Sequence, residues 1–384
     1  MRIAIVGAGI AGLAAARGLI GRGHEVQVLE RSAALRTGGG ALSLWSSGTG
    51  ILGALGVDLA GAGQRLDVLD ARRANGGGLA RTDLAALGAR FGSPSVCLPR
   101  ATLLARLAAA LPAGTIVFGQ RVDSIEQRDG GVIVRTSDGT IEADVVLGAD
   151  GGNSAVRRVL LGDAPARPNG WATWQGLSAV PIDLVAGRVG VTMVGREGYC
   201  GLIPAGDGLL QWWFEVRHDP AAPLPADPLG WLRERFGTWA APVPEVLAAV
   251  TEVELFVHQL HDVPKTWGTG ACSLLGDAAH AMPPSLAQGA NQALEDAWVL
   301  TNALPADAPR EQWPALLRGY EQARHRRAAR IAKLAARATA QQDSPLQQFN
   351  RMPDRLITWM FGQIVARHSN FLADRRAVPV GSST

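Results

Sequence analysis

Three sets of residues in this chain have the types and spacing to do chemistry. The first is Gly7-Ala8-Gly9-Ile10-Ala11-Gly12, with Glu30 standing 18 residues beyond Gly12. In such a run the first glycine permits a tight turn, the second lets backbone approach a pyrophosphate, and the third lets a helix pack close to a strand. The N-terminus of that helix favours the diphosphate charge. Glu30 can accept hydrogen bonds from both hydroxyls of an adenosine ribose. The second set, Gly148-Ala149-Asp150-Gly151-Gly152-Asn153-Ser154-Ala155-Val156-Arg157, holds an acid at a strand-to-helix turn. The third, Leu274-Leu275-Gly276-Asp277-Ala278-Ala279-His280, holds another, and Pro283-Pro284 and Gln288-Gly289-Ala290-Asn291 follow it. The glycine motif alone does not separate a flavin dinucleotide from a nicotinamide one.

The elements that must position these residues are legible in the pattern. Residues 2–6 read as a buried parallel strand, 10–21 as a helix and 25–29 as the next strand. Residues 100–111 have helical spacing. Short strands follow at 115–118, 122–127 and 131–136, with turns at Asp129-Gly130 and Asp138-Gly139, before a buried strand at 144–147. From 166 to 265 the pattern alternates (170–180, 189–195, 208–217, 251–260), as in an antiparallel sheet with one solvated or cavity-facing side. A buried strand at 271–276, a helix at 288–304, an Arg-rich helix at 314–341 and a helical piece at 354–368 complete the chain. The expected fold is α/β. A Rossmann-like domain, parallel sheet with helices, spans 1–165 and 266–342; an antiparallel-sheet substrate domain at 166–265 interrupts it, and a C-terminal helical segment at 343–384 closes it.

Composition narrows the function. The net charge is +3, and no block of five or six like charges appears, which argues against a nucleic-acid partner. Cys97, Cys200 and Cys272 lie too far apart for a local redox disulfide or a zinc ribbon, and fit buried positions in a reducing cytoplasm. No metal site is expected. The apolar run from Ile3 to Ala16 imitates a signal peptide, but a strand–helix–strand unit accounts for every residue there. No apolar stretch reaches the roughly 18 residues of a membrane span. A cytoplasmic protein is the expectation.

In this order and spacing, the three segments resemble the dinucleotide, DG and GD motifs of the class A flavoprotein aromatic hydroxylases, the p-hydroxybenzoate hydroxylase family. The length and Ser43-Leu44-Trp45 look most like the urate hydroxylase, salicylate hydroxylase and tetracycline-inactivating branch, over about residues 1–342. The resemblance makes the Rossmann-like domain an FAD-binding one, with the cofactor held noncovalently. It implies contacts from Gly7, Gly9, Ala11, Gly12, Glu30 and Arg31. Asp277 would bond the ribityl chain. The 288–304 helix would aim Gly289, Ala290 and Asn291 at the flavin N1–C2=O edge, where a helix N-terminus stabilises negative charge by about 0.3–1 kcal/mol. Arg100 would touch the flavin side, Ser43 and Val122 would make lesser contacts, and Asp150 would serve both pyridine nucleotide and FAD pyrophosphate. Ala287 replaces the glycine usual at the start of the last loop.

The implied activity is a single-component monooxygenase using O₂ and NADPH or NADH. The nicotinamide cofactor would visit transiently, since only one dinucleotide fingerprint is present. Oxygen would reach an electron-rich ring or alkene through a flavin C4a hydroperoxide, to hydroxylate or epoxidise it. Two other readings compete: a related flavin enzyme (halogenase-like, or an oxidase or dehydrogenase) and a non-catalytic flavin-binding protein. Gly170-Trp171-Ala172-Thr173-Trp174-Gln175 only brushes against the halogenase signature, and Lys265 and Lys333 offer no counterpart to the halogenase lysine. In the 208–217 strand, 211 and 213 share one face and 212 and 214 the other. The resemblance turns 211 toward the substrate, so Gln211 and Trp213 should border a cavity with Tyr199, Pro284 and Ser285. The urate branch carries Arg, Tyr and Asp where Tyr199, Gln211 and Ser285 stand, which argues against urate. The Trp-rich sheet reads as uncharged and suited to an apolar aromatic or polycyclic compound. No residue reads as a strong base, and none is assigned as catalytic. His280 reads as structural, and Arg324, Arg326, Arg327 and Arg330 as a solvated helix face.

Overall fold

The computed structural model describes residues 1–162, 165–340 and 352–377. Its centre is a sheet ordered β18-β12-β1-β2-β8, built from β1 (Arg2–Val6), β2 (Glu25–Glu30), β8 (Ile116–Phe118), β12 (Val145–Gly148) and β18 (Cys272–Leu274). Every pairing in it is parallel. Ile3, Ala4 and Ile5 of β1, and Val145, Val146 and Leu147 of β12, are buried at 0–2% exposure. That two-sided burial is why these strands read as unbroken apolar runs. Helix α1 (Ile10–Gly21) packs on α9 (Gly289–Ala303) through Gly18, where any side chain would collide with Thr301. Helices α4 (Arg100–Ala109) and α10 (Trp313–Ala340) complete this half.

Two small sheets flank it. The order β11-β10-β9 joins β9 (Val122–Arg128), β10 (Gly131–Thr136) and β11 (Gly139–Ala143) as a meander. The order β3-β7-β4 joins β3 (Ala41–Leu44), β4 (Gln64–Leu66) and β7 (Ser95–Pro99), beside α2 (Ser46–Ala54) and α3 (Leu84–Phe91).

The second large sheet has seven strands, ordered β17-β13-β16-β15-β14-β5-β6. Five belong to the alternating region: β13 (Arg167–Ala179), β14 (Val189–Gly195), β15 (Gly198–Gly206), β16 (Leu209–Arg217) and β17 (Glu254–Leu260). The other two, β5 (Val68–Arg73) and β6 (Gly78–Asp83), come from outside 166–265, and β5 pairs parallel with β14. One face lies under α6 (Pro228–Phe236) and α7 (Val243–Ala249). There Trp212, Phe214, Phe236 and Trp239 stack in sequence, with ring centroids 6.1, 4.7 and 5.0 Å apart. Each such pair contributes about 0.5–1.5 kcal/mol beyond its buried area.

The C-terminal helix Asp354–Arg367 lies along the outer edge of β6. Asp354 Oδ1 accepts from the Arg81 amide (3.1 Å) and Thr358 Oγ1 from the Asp83 amide (2.9 Å). A short helix, Phe371–Ala377, sets Phe371 edge-on to Trp298 at 5.1 Å. Of the expected segment 343–384, residues 343–351 and 378–384 lie outside the described residues. The Arg-rich helix corrects one expectation. Arg324 is not on a solvated face but fully buried (0% exposed), because the fully buried acids Glu295 and Asp296 of α9 require a cation beside them.

Candidate active site

The three motifs meet at one edge of the parallel sheet. Gly7 follows β1, Glu30 ends β2, Asp150 follows β12 and Asp277 follows β18, so all four lie at strand C-termini, where open α/β sheets bind ligands. Gly7 takes φ +107°, and a Cβ there would stand 2.6 Å from the Ala149 carbonyl oxygen. A Cβ on Gly12 would collide with the Gly7 carbonyl. Gly9 heads α1 without a side-chain cap and has open space where a Cβ would be. Glu30 accepts from the Ala8 and Ser32 amides, both at 2.9 Å, and Arg31 beside it is exposed.

Asp150 caps α5 (Ala155–Leu161), accepting from the Ser154 hydroxyl and the Ala155 amide (2.7 Å). Arg157 of that helix is buried and donates to the Ala278 and Ala279 carbonyls at 3.0 and 3.1 Å. These belong to α8 (Asp277–His280), so the second motif clamps the third. Gly276 takes φ +60°, its would-be Cβ 2.8 Å from that of Ala11, and its amide donates to Asp296 Oδ2 at 2.8 Å. His280 Nε2 lies 2.6 Å from the same oxygen, and Arg324 Nε donates to Asp296 Oδ1 at 2.7 Å. Burial raises the Asp296 carboxyl, but His280 and Arg324 together outweigh it and hold it below the usual range. Held this way, the turn leaves Asp277 exposed while Ala278, Ala279 and His280 are buried.

Helix α9 approaches from the other side. Its N-cap, Gln288, provides no side-chain hydrogen bond to the amides of the first turn, and a Cβ on Gly289 would be 4.0 Å from Asp277 Oδ1; Ala290 follows, half-buried. Asn291 is fully buried, accepts from the Trp45 amide (2.9 Å) and donates to the Ser43 and Ala287 carbonyls (3.1 and 2.7 Å). Ala287 adopts φ +49°, ψ +40°, a left-handed conformation that favours glycine. Arg100 bonds its amide to the Gly40 carbonyl at 3.1 Å. Burial lowers its guanidinium pKa, and the facing charge of Asp277 opposes that. Val122 lines a shallow hollow with Ala155 and Val156 of α5, whose amides donate to Asp150.

The sheet face opposite the aromatic core carries the remaining candidates. Gln211 is buried, and its amide oxygen is taken by the Ala41 amide. Trp213, half-buried, lays its ring over Gly201, where any side chain would displace it. Tyr199 sits 5.8 Å from Trp171, ring to ring, and Pro284 is exposed at the start of the loop before α9. Between them lies a residue that the sequence did not single out. Glu215 pairs across the ladders with Tyr199 and Thr173, is 6% exposed, and is hydrogen-bonded to Ser285. Burial lifts its carboxyl to about 7, against the pull of that hydrogen bond. The site face therefore carries an ionisable side chain, where the sequence pattern suggested an uncharged one.

An FAD fits these residues. Both α1 and α9 present uncapped N-terminal amides, Gly9 is open, and Asp277 is aimed out of an otherwise buried turn. Fold and crevice together define an FAD-binding α/β protein. The chain belongs to the FAD binding domain family, which matches residues 1–335. It is 37% identical over 343 residues to a 3-amino-4-hydroxybenzoate 2-monooxygenase of Streptomyces platensis, covering 84% of each chain. It is 32% identical over 316 residues to an FAD-dependent urate hydroxylase of Klebsiella pneumoniae, covering 78% of this chain and 80% of that one. A Klebsiella pneumoniae crystal structure complexed with FAD and uric acid superposes with a TM-score of 0.89 at 26% identity, over 96% of this chain and 97% of the other. The protein is an FAD-dependent monooxygenase of the class A aromatic hydroxylase group. Among the described residues no helix is long and apolar enough to cross a membrane.

Proposed function

We propose that this enzyme hydroxylates a flat aromatic compound other than urate, with O₂ as oxygen source and NADPH or NADH as electron donor. FAD, when bound, supplies electron transfer and oxygen activation. The chain's own residues bind and orient. The α1 amides and the Gly7–Gly12 turn hold the pyrophosphate, Glu30 the adenosine ribose and Asp277 the ribityl chain; the first turn of α9 faces the flavin N1–C2=O edge. Ser43 and Arg100 border the same crevice, and Asp150 fixes its floor by capping α5. Trp213 offers the substrate a flat wall, with Tyr199, Pro284 and Ser285 around it. The observation that carries this reading is the convergence of the three motifs and the site face of the seven-stranded sheet on one crevice. A transient nicotinamide partner is supported by the single dinucleotide fold among the described residues. Tyr199, Gln211 and Ser285 stand where the urate branch carries Arg, Tyr and Asp, which supports a different substrate.

The test is oxidation of NADPH and of NADH under air by the purified FAD-loaded protein, with a panel of phenols, hydroxyquinolines and indoles. We expect at least one compound to accelerate oxidation and to gain one oxygen atom. Oxidation indifferent to every aromatic compound would count against the reading, and accelerated oxidation yielding only H₂O₂ would point to an oxidase.

A further inference from the structure

Glu215 is a costly residue to keep where it is. A carboxylate removed from water needs a cation or several hydrogen bonds to remain charged. Glu295 and Asp296 have Arg324, His280 and the Asn370 and Phe371 amides. Glu215 has the Ser285 hydroxyl. The paired positions on the neighbouring strands, Tyr199 and Thr173, bring no fixed charge. Thr173 is itself bonded to His258 Nε2 (2.6 Å), whose imidazole burial pushes down to about 4, so it stays neutral at pH 7. Fold stability alone gives no reason for an acid here; a glutamine would keep the Ser285 hydrogen bond without the charge.

The placement gives a reason. Glu215 lies two residues from Trp213 on the same face of β16, and Ser285 belongs to the loop that turns into α9. The pair therefore joins the substrate sheet to the flavin-side loop.

Resting on the monooxygenase reading, we infer that Glu215, oriented by Ser285, is the base that takes the proton from a hydroxyl group on the aromatic substrate. The O–H bond breaks, its electron pair stays on the substrate oxygen, and the proton forms a bond to a Glu215 carboxylate oxygen. The oxygen lone pair then conjugates into the ring and raises electron density ortho and para to it, where the new oxygen is received. No net charge is created in the buried site, because the negative charge passes from Glu215 to the substrate. A base poised near neutral pH is suited to this transfer. The substrate class is accordingly a phenol or hydroxy-heteroaromatic, rather than an unsubstituted indole or alkene.

The experiment uses the FAD-loaded full chain with 4-nitrophenol as probe and no electron donor, so its outcome is independent of turnover. The nitrophenolate band is followed by difference absorbance across pH. In the native enzyme the band should rise to an intermediate height as the Glu215–probe pair loses its first proton near pH 7, and reach full height only at higher pH, because both groups cannot ionise side by side in a buried site. In Glu215→Gln the probe should bind and the band should rise in a single step to full height. In Ser285→Ala its onset should move to higher pH, because the hydrogen bond that lowers the Glu215 pKa is gone. With a phenolic substrate of the enzyme, kcat of Glu215→Gln should fall about 10²- to 10⁴-fold. Glu215→Gln should also be more stable than the native chain above pH 7. Between about 4.5 and 7 the native fold holds a proton the unfolded chain has lost, so stability falls as pH rises through that window. An equal band in native enzyme and Glu215→Gln, or no binding of 4-nitrophenol, overturns the proposal. Should Glu215→Gln not fold, Glu215→Asp carries the test, and an unchanged onset overturns it.

Discussion

The seven-stranded sheet presents two faces of the same strands to different surroundings. Under α6 and α7, Trp212 and Phe214 are fully buried, and the Trp212 indole donates to the Ser178 hydroxyl at 3.1 Å. On the other face, Gln211, Trp213 and Glu215 mix an amide, a half-buried ring and an acid. The GD turn repeats the contrast: Asp296, fully buried and fully paired, holds the turn from behind, while Asp277 projects from its front. In both places one side specifies the fold and the other is left chemically incomplete. On the function proposed above, the ligand binds on that second side.

The sharpest way to break this comparison is to exchange its two tryptophans for alanine. Trp212→Ala should cost about 3–5 kcal/mol of stability in urea unfolding, as large buried aromatics do. Trp213→Ala should leave most stability and the FAD in place but raise KM or divert NAD(P)H oxidation to H₂O₂. A reversed pattern would mean that the faces have opposite roles. At the GD turn, Asp277→Ala should weaken FAD binding about 10- to 100-fold, from the roughly 1.5–3 kcal/mol of a charge-assisted hydrogen bond. Fluorescence titration of the apoprotein measures it, and unchanged affinity would sink the ribityl assignment. The smallest effect belongs to Ala287→Gly, which should relieve about 1 kcal/mol of left-handed strain; a loss of stability instead would show that the methyl group packs usefully.

What the sequence revealed followed the range of the interactions involved. The β1–α1–β2 unit was readable because Gly12 packs on Gly7 and Glu30 accepts from the Ala8 amide, contacts within thirty positions. The place of the β5–β6 hairpin in the seven-stranded sheet was not, because β5 joins it through β14, more than a hundred residues away. β15 was missed because it is buried on nearly its whole length and so shows no alternation. Arg324 looked like its neighbours Arg326, Arg327 and Arg330; the signal that marks it is the acid pair Glu295-Asp296 set between Ala293-Leu294 and Ala297-Trp298-Val299-Leu300. Glu215 read as one more polar residue of an alternating strand. Its burial is created by the loop carrying Ser285, seventy positions on, and no local pattern reports that.

The helix Asp354–Arg367 has a consequence beyond closing the fold. By accepting the Arg81 and Asp83 amides it occupies the donors that β6 would otherwise offer along an open strand edge. Unpaired edges of that kind recruit strands from other molecules. A chain cut before Pro353 would expose a template for intermolecular pairing and, in the same stroke, strip the buried Glu295 of α9 of the Asn370 and Phe371 amides. Its failure would be seen as self-association on storage.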